Sequence, residues 1–229
     1  MLFLQRLSNI IIFIVFTNTA YRAQSAICYF HPDSTDCYLV NNISNKYFPI
    51  QTQYQSAIKI ALLYYPELAR VKITFRSKNT ITPLSARPSL LSLFRKPSKR
   101  KYIITISQRS TPKLDPIIFK NLTFNSQIGV IGHELAHNAD FNKMKLKHFI
   151  KLAFKHFNKR SMDSFEFNTD KSCIEHGLGH QLLSWSEEVR IKLNILKWGG
   201  ANNPIGVHER YMDPATIISY YNSLLIYNK

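Results

Sequence analysis

Acidic residues are scarce in this chain of 229 residues: 14 Asp and Glu stand against 30 Lys and Arg, a formal charge of +16. Such a surplus bears on partners and solubility rather than on fold. It favours polyanions or anionic surfaces, yet no nucleic-acid-binding motif accompanies it. Glycine is also rare, at seven residues, and no low-complexity tract is present, which argues against a fibrous or disordered chain. No internal repeat is visible. Hydrophobic residues make up 45%, enough for a core in one domain.

Long apolar runs are missing as well. The run at residues 10–16 is too short to span a bilayer. Arg6 precedes it, polar Thr17, Asn18 and Thr19 follow it, and small residues surround Ala23 and Ala26. That order predicts a secretory signal over residues 1–25 and a single domain over 26–229, in a secreted or periplasmic protein. A short buried helix or an uncleaved anchor are the alternatives. Cysteine is limited to three residues. Cys28 and Cys37 form either a disulfide closing a small N-terminal loop or two free thiols. Cys173 is left over and reads as a small buried residue rather than a ligand.

Against these shortages stands one dense stretch, His133-Glu134-Leu135-Ala136-His137. Histidines four residues apart share one face of a helix, so both imidazoles can reach a single zinc ion. Glu134 sits beside them as a general base for a water that the metal activates. Two satisfied histidines on an ordinary helix are the bland alternative. The context weighs against it. Ile128, Val130, Ile131, Leu135 and Ala136 predict a buried helix over about 126–140, with Asn125 or Ser126 as its cap. Buried histidines with a glutamate between them need a partner, and a metal supplies one.

A catalytic zinc takes three protein ligands and keeps one position open. Glu166 is the candidate third ligand. Asp170, one helical turn on, is placed to accept a hydrogen bond from the outer nitrogen of a ligand histidine. Two solvated carboxylates on an exposed helix are the alternative. His176, His180, His208, Arg210 and Tyr211 are candidates for stabilising an oxyanion, and His176 and His180 could also form a second histidine pair.

The two motifs together resemble the gluzincin metallopeptidases, in which HExxH is followed by ExxAD on a later helix. Residues 124–141 (FNSQIGVIGHELAHNADF) and 165–185 (FEFNTDKSCIEHGLGHQLLSW) are similar to small, secreted bacterial members of that class. The chain departs from the pattern at Thr169, where alanine is usual. The resemblance implies one zinc per chain, Glu134 as general base, and a sheet packed on the metal helix with an edge strand lining the cleft. It does not name a substrate.

Periodicity supplies the remaining elements. Residues 52–65 have helical spacing and stop at Pro66. Residues 71–76 and 101–107 alternate as strands, and residues 83–100 read as irregular loop or short pairing. The 101–107 strand is the candidate edge, to which a peptide could add as a further strand. Lys143, Lys147, Lys151, Lys155 and Lys159 form a stripe along a helix over about 144–158. The stripe is either a solvated face or a contact with an anionic membrane. Helices are predicted from about 164, over 181–197, and from Pro214 to about 225, with Gly177 and Gly179 as a break. The class expected is therefore α+β: a small sheet packed on a zincin-like metal helix, and a mostly helical C-terminal half. Two functions are expected from different classes, a secreted zinc metallopeptidase and a non-catalytic, zinc-stabilised binding module at an anionic surface. The retained Glu134 favours the first, because a structural zinc site needs no base.

Overall fold

The computed structural model describes residues 25–34, 52–96, 99–149, 159–200 and 209–228. The first 24 residues, Cys37, His208, and the middle of the lysine stripe with Lys151 and Lys155 lie outside that set. The described chain is α+β. Helix α1 (Thr52–Leu63) leads into strands β1 (Lys72–Lys78), β2 (Leu84–Pro88) and β3 (Lys101–Ser107). Helix α2 (Phe124–Lys143), the HExxH helix, follows. Then come α3 (Lys159–Cys173), a π-turn (Ile174–Leu178), α4 (Gly179–Leu193) and α5 (Pro214–Asn222). None of the described helices is long and apolar enough to cross a membrane.

The strand order is β1-β3-β2, with β1 parallel and β2 antiparallel to β3. The expected edge, residues 101–107, is therefore the central strand. Its burial agrees with that place. Tyr102, Ile104 and Ile106 face the core, but Thr105 and Ser107 are buried too, which an edge strand would leave wet. The edge on the cleft side is β2, formed within the stretch expected to be loop or short pairing. Leu84, Ser85 and Ala86 of β2 line the cleft beside the HExxH histidines.

Helix α2 occupies the middle of the molecule and is buried over most of its length. Its N-cap is Thr123, not Asn125 or Ser126. The Glu188 carboxylate accepts the Thr123 N–H at 3.0 Å and its hydroxyl at 2.8 Å, placing negative charge at the helix start. Asn125 is used differently. Its side-chain amide donates to Phe30 O and its side-chain carbonyl accepts the Phe30 N–H, both at 3.0 Å, pairing with a backbone 95 positions away.

Two glycines let α2 approach its neighbours. A Cβ on Gly129 would lie 2.1 Å from the Gln181 carbonyl oxygen of α4. A Cβ on Gly132 would meet the Leu178 side chain at 2.6 Å. The expected break at Gly177 is present as a positive φ of 97° inside the π-turn. It bends the chain, and α4 follows without a loop. Tyr227 splices the bend: its hydroxyl donates to Ile174 O and accepts the Gly179 N–H, both at 2.7 Å.

On the far side of α2, His176 of the π-turn stacks on Tyr65, with ring centroids 4.2 Å apart. Tyr65 in turn donates to Gly132 O at 2.6 Å. His176 faces acceptors with both nitrogens, Ser172 O from Nδ1 at 2.6 Å and Glu67 from Nε2 at 2.9 Å. Only the imidazolium can donate to both. Burial opposes its charge, but Glu67 and Ser172 prevail and raise its pKa above 6.5. Glu67 is lowered below 4.5, with His176 outweighing its own burial. The raised histidine stabilises the fold fully below about pH 6.5 and loses that contribution as pH rises through its folded pKa. The lowered glutamate contributes above about pH 4.5 and loses it on acidification. The stabilisation that Glu67→Gln removes is therefore largest between those values and shrinks as pH rises through the folded pKa of His176. Thermal melts of both proteins across that range test this; a constant difference in Tm would refute it.

Candidate metal centre

Helical geometry brings the HExxH residues to one wall. His133 and His137 project from consecutive turns of α2, their rings 4.8 Å apart and nearly perpendicular. Helix α3 crosses them and presents Glu166. Its Oε2 lies 3.3 Å from His133 Nε2 and 3.2 Å from His137 Nε2. All three side chains are buried, and their donor atoms lie within 4.8 Å of one another. Among the described residues no other His, Cys, Asp and Glu group converges this way.

The outer nitrogens are fixed. His133 Nδ1 donates to Asp170 Oδ1 at 2.7 Å, and Asp170 Oδ2 accepts the Met212 N–H at 2.8 Å. His137 Nδ1 faces Thr169 Oγ1 at 3.2 Å, while the Thr169 hydroxyl donates to Phe165 O at 2.9 Å. With its hydrogen committed to Phe165, Oγ1 accepts from His137. Both histidines therefore carry hydrogen on Nδ1, which leaves Nε2, the nitrogen facing Glu166, as the one that could ligate a metal. Thr169, marked in the sequence only as a departure from the usual alanine, thus holds His137. The signal was its place one turn beyond Phe165 and three residues after Glu166.

The electrostatics fit a cation. Burial acts against charge on both sides of the cluster, and mutual attraction outweighs it. Asp170 and Glu166 raise His133 to about 10. His137 and His133 hold Glu166 well below the usual carboxylate range. Such mutual dependence is what a buried cluster able to hold a positive ion would show. Two imidazoles and one carboxylate also match the ligand set of an open zinc site. The residues present therefore fit the metal.

Glu134 projects beside the histidines. Burial raises its pKa above 4.5, the histidines act the other way, and its Oε2 has no hydrogen-bond partner. An orphaned carboxylate oxygen in a buried wall is costly unless a ligand or water uses it. The wall opens on a cleft of about 310 Å3, bounded by Ser85 and Ala86 on one side and by Arg210 and Tyr211 on the other.

The remaining candidates separate. Tyr211 stands over the site, its ring 5.6 Å from His133 and stacked on Trp198 at 6.3 Å. Gly200, at φ 91°, makes room for it; a Cβ there would approach the Tyr211 ring to 3.2 Å. Arg210 lies 3.8 Å from Glu166 and 3.9 Å from Asp163, with its Nε unpartnered. Their segment is held from behind by Arg190, which pairs with Asp213 and donates to Ser186 Oγ at 2.6 Å. His176 is engaged with Glu67 and His180 packs on Tyr221 and Tyr227, so the two do not form a second histidine pair. Cys173 is buried on the opposite side of α2, against Gly132, and burial pushes its thiol well up, as expected of a non-ligand.

Family models, curated proteins and solved structures were compared with the chain, and none matches.

Proposed function

We propose that the protein is an exported, zinc-dependent metallopeptidase of the gluzincin type. One observation carries this reading: two Nε2 atoms and one Glu166 oxygen converge in a cleft wall next to an unpartnered Glu134 oxygen. His133, His137 and Glu166 would hold the ion. Zinc bound there supplies Lewis acidity, lowering the pKa of a water towards about 7 and polarising a carbonyl.

The protein groups do the rest. Glu134 Oε2 takes the proton from the attacking water and returns it to the leaving nitrogen, and burial tunes the carboxylate upward for that exchange. Arg210 and Tyr211, across the cleft, are the donors available to a developing oxyanion. Asp170 and Thr169 keep both imidazoles in the ligating tautomer. A peptide in extended form suits the cleft, because the edge strand β2 can take it as an added strand through main-chain hydrogen bonds.

Metal analysis and cleavage of a broad peptide library, on wild type and Glu134→Gln, test the reading. About one zinc per chain is expected in both, with cleavage reduced by about 10²- to 10⁴-fold in the variant. Zinc-loaded wild type that cuts no peptide would instead identify a non-catalytic binding module.

A further inference from the structure

The loop joining β2 to β3 carries an apolar cluster that the metal site does not use. Leu90 is 69% exposed, Leu91 89% and Phe94 80%. Single exposed leucines are ordinary; three large apolar side chains within five residues are a patch. The cluster sits on a fastened base. Ser92, between its members, is buried, and its hydroxyl lies 2.8 Å from Ser89 O and 3.1 Å from Lys101 O while accepting the Lys101 N–H. Arg100 is buried beneath. It donates to Arg95 O and to Phe141 O and Met144 O at the end of α2, with its guanidinium over the Phe149 ring. The apolar side chains are thus held outward rather than left loose.

Their surroundings carry one sign of charge. Arg95, Lys96, Lys99 and Lys101 are exposed beside them, and no acidic residue occurs between Glu67 and Asp115. The end of α2 that Arg100 clamps adds exposed Lys143, Lys145 and Lys147. We propose that Leu90, Leu91 and Phe94, with the cations Arg95, Lys96, Lys99 and Lys101 beside them, attach the protein to the surface of an anionic bilayer. The apolar tip would enter the boundary between headgroups and acyl chains, and the cations would stay among acidic headgroups. A second copy of the chain is a poorer occupant, because joining two such patches brings their cations together. The attachment differs from the lysine stripe anticipated from sequence: it combines insertion with charge, and it is independent of metal.

Sedimentation of the full chain with vesicles tests this. Binding is expected with one part phosphatidylserine to three of phosphatidylcholine, and not with phosphatidylcholine alone. Leu91→Ser/Phe94→Ser should weaken binding by about tenfold or more, since it removes insertion and keeps charge. Both side chains are exposed, so the variant's thermal melt should match wild type. Amide exchange over residues 90–96 should slow when acidic vesicles are added. Three results would overturn the proposal: equal binding by the variant, unchanged exchange in vesicle-bound wild type, or the same protection without vesicles.

Discussion

Glu166→Ala is expected to leave a folded chain that no longer retains zinc. Glu166 Oε2 is the atom on which both Nε2 atoms converge, and α3 offers no substitute. Asp170 is committed to His133 Nδ1 and the Met212 N–H, and Asp163 lies beside Arg210 rather than the histidines. Two imidazoles alone fall short of the three ligands of an open site. Metal content after dialysis should therefore fall from about one ion per chain to near zero. A second readout uses linkage: an ion that binds only the folded state raises stability by about 2.7 kcal/mol at a hundredfold excess over Kd. Zinc should raise the Tm of wild type and leave that of Glu166→Ala unmoved. Peptidase activity should vanish with the metal. Full zinc retention by the variant would show that the third ligand lies elsewhere.

Gly129→Ala should be the most damaging single methyl in the fold. The added carbon would lie 2.1 Å from the Gln181 carbonyl oxygen and 2.8 Å from the Leu182 nitrogen. Both are backbone atoms of α4, so no rotamer change relieves the overlap; the helices must separate. Gln181 cannot shift freely, because its amide holds the Ile27 carbonyl at 2.9 Å. Overpacking of this kind costs about 3 kcal/mol or more. In a chain of this size that corresponds to a fall in Tm of roughly 6–12 °C. Gly132→Ala should be milder, since its first obstacle is the flexible Leu178 side chain. Thermal melts of the two variants decide it. Equal and small losses would mean that α2 and α4 are not locked at Gly129.

What the sequence discloses is what short-range periodicity carries. Two histidines one turn apart with a glutamate between them announce a site, because a helix alone decides that they converge. Glu166 and Asp170 were legible by the same spacing, together with the count of ligands that a zinc site requires. Strand order is different in kind. Residues 101–107 alternate well, which marks a strand, while the expectation of an edge came from the gluzincin resemblance. Their central position follows from β1 and β2 pairing on either side, which is a fact about distant segments. Asn125 misled for a related reason: its type suits a helix cap, but Phe30 claims its side chain. The Thr169 contact with His137 needs the crossing of two helices, and so does the placement of Arg210 and Tyr211 at the cleft.

The splice at Tyr227 has a consequence for biosynthesis. Its hydroxyl joins Ile174 O to the Gly179 N–H, the two backbone groups flanking the bend that carries α3 into α4. Tyr227 follows every candidate ligand in chain order, so it leaves the ribosome after all of them. A nascent chain can expose His133, His137 and Glu166 while that bend is still unspliced. The bend between α3 and α4 is thus fastened by a residue made later in the chain than His133, His137 and Glu166.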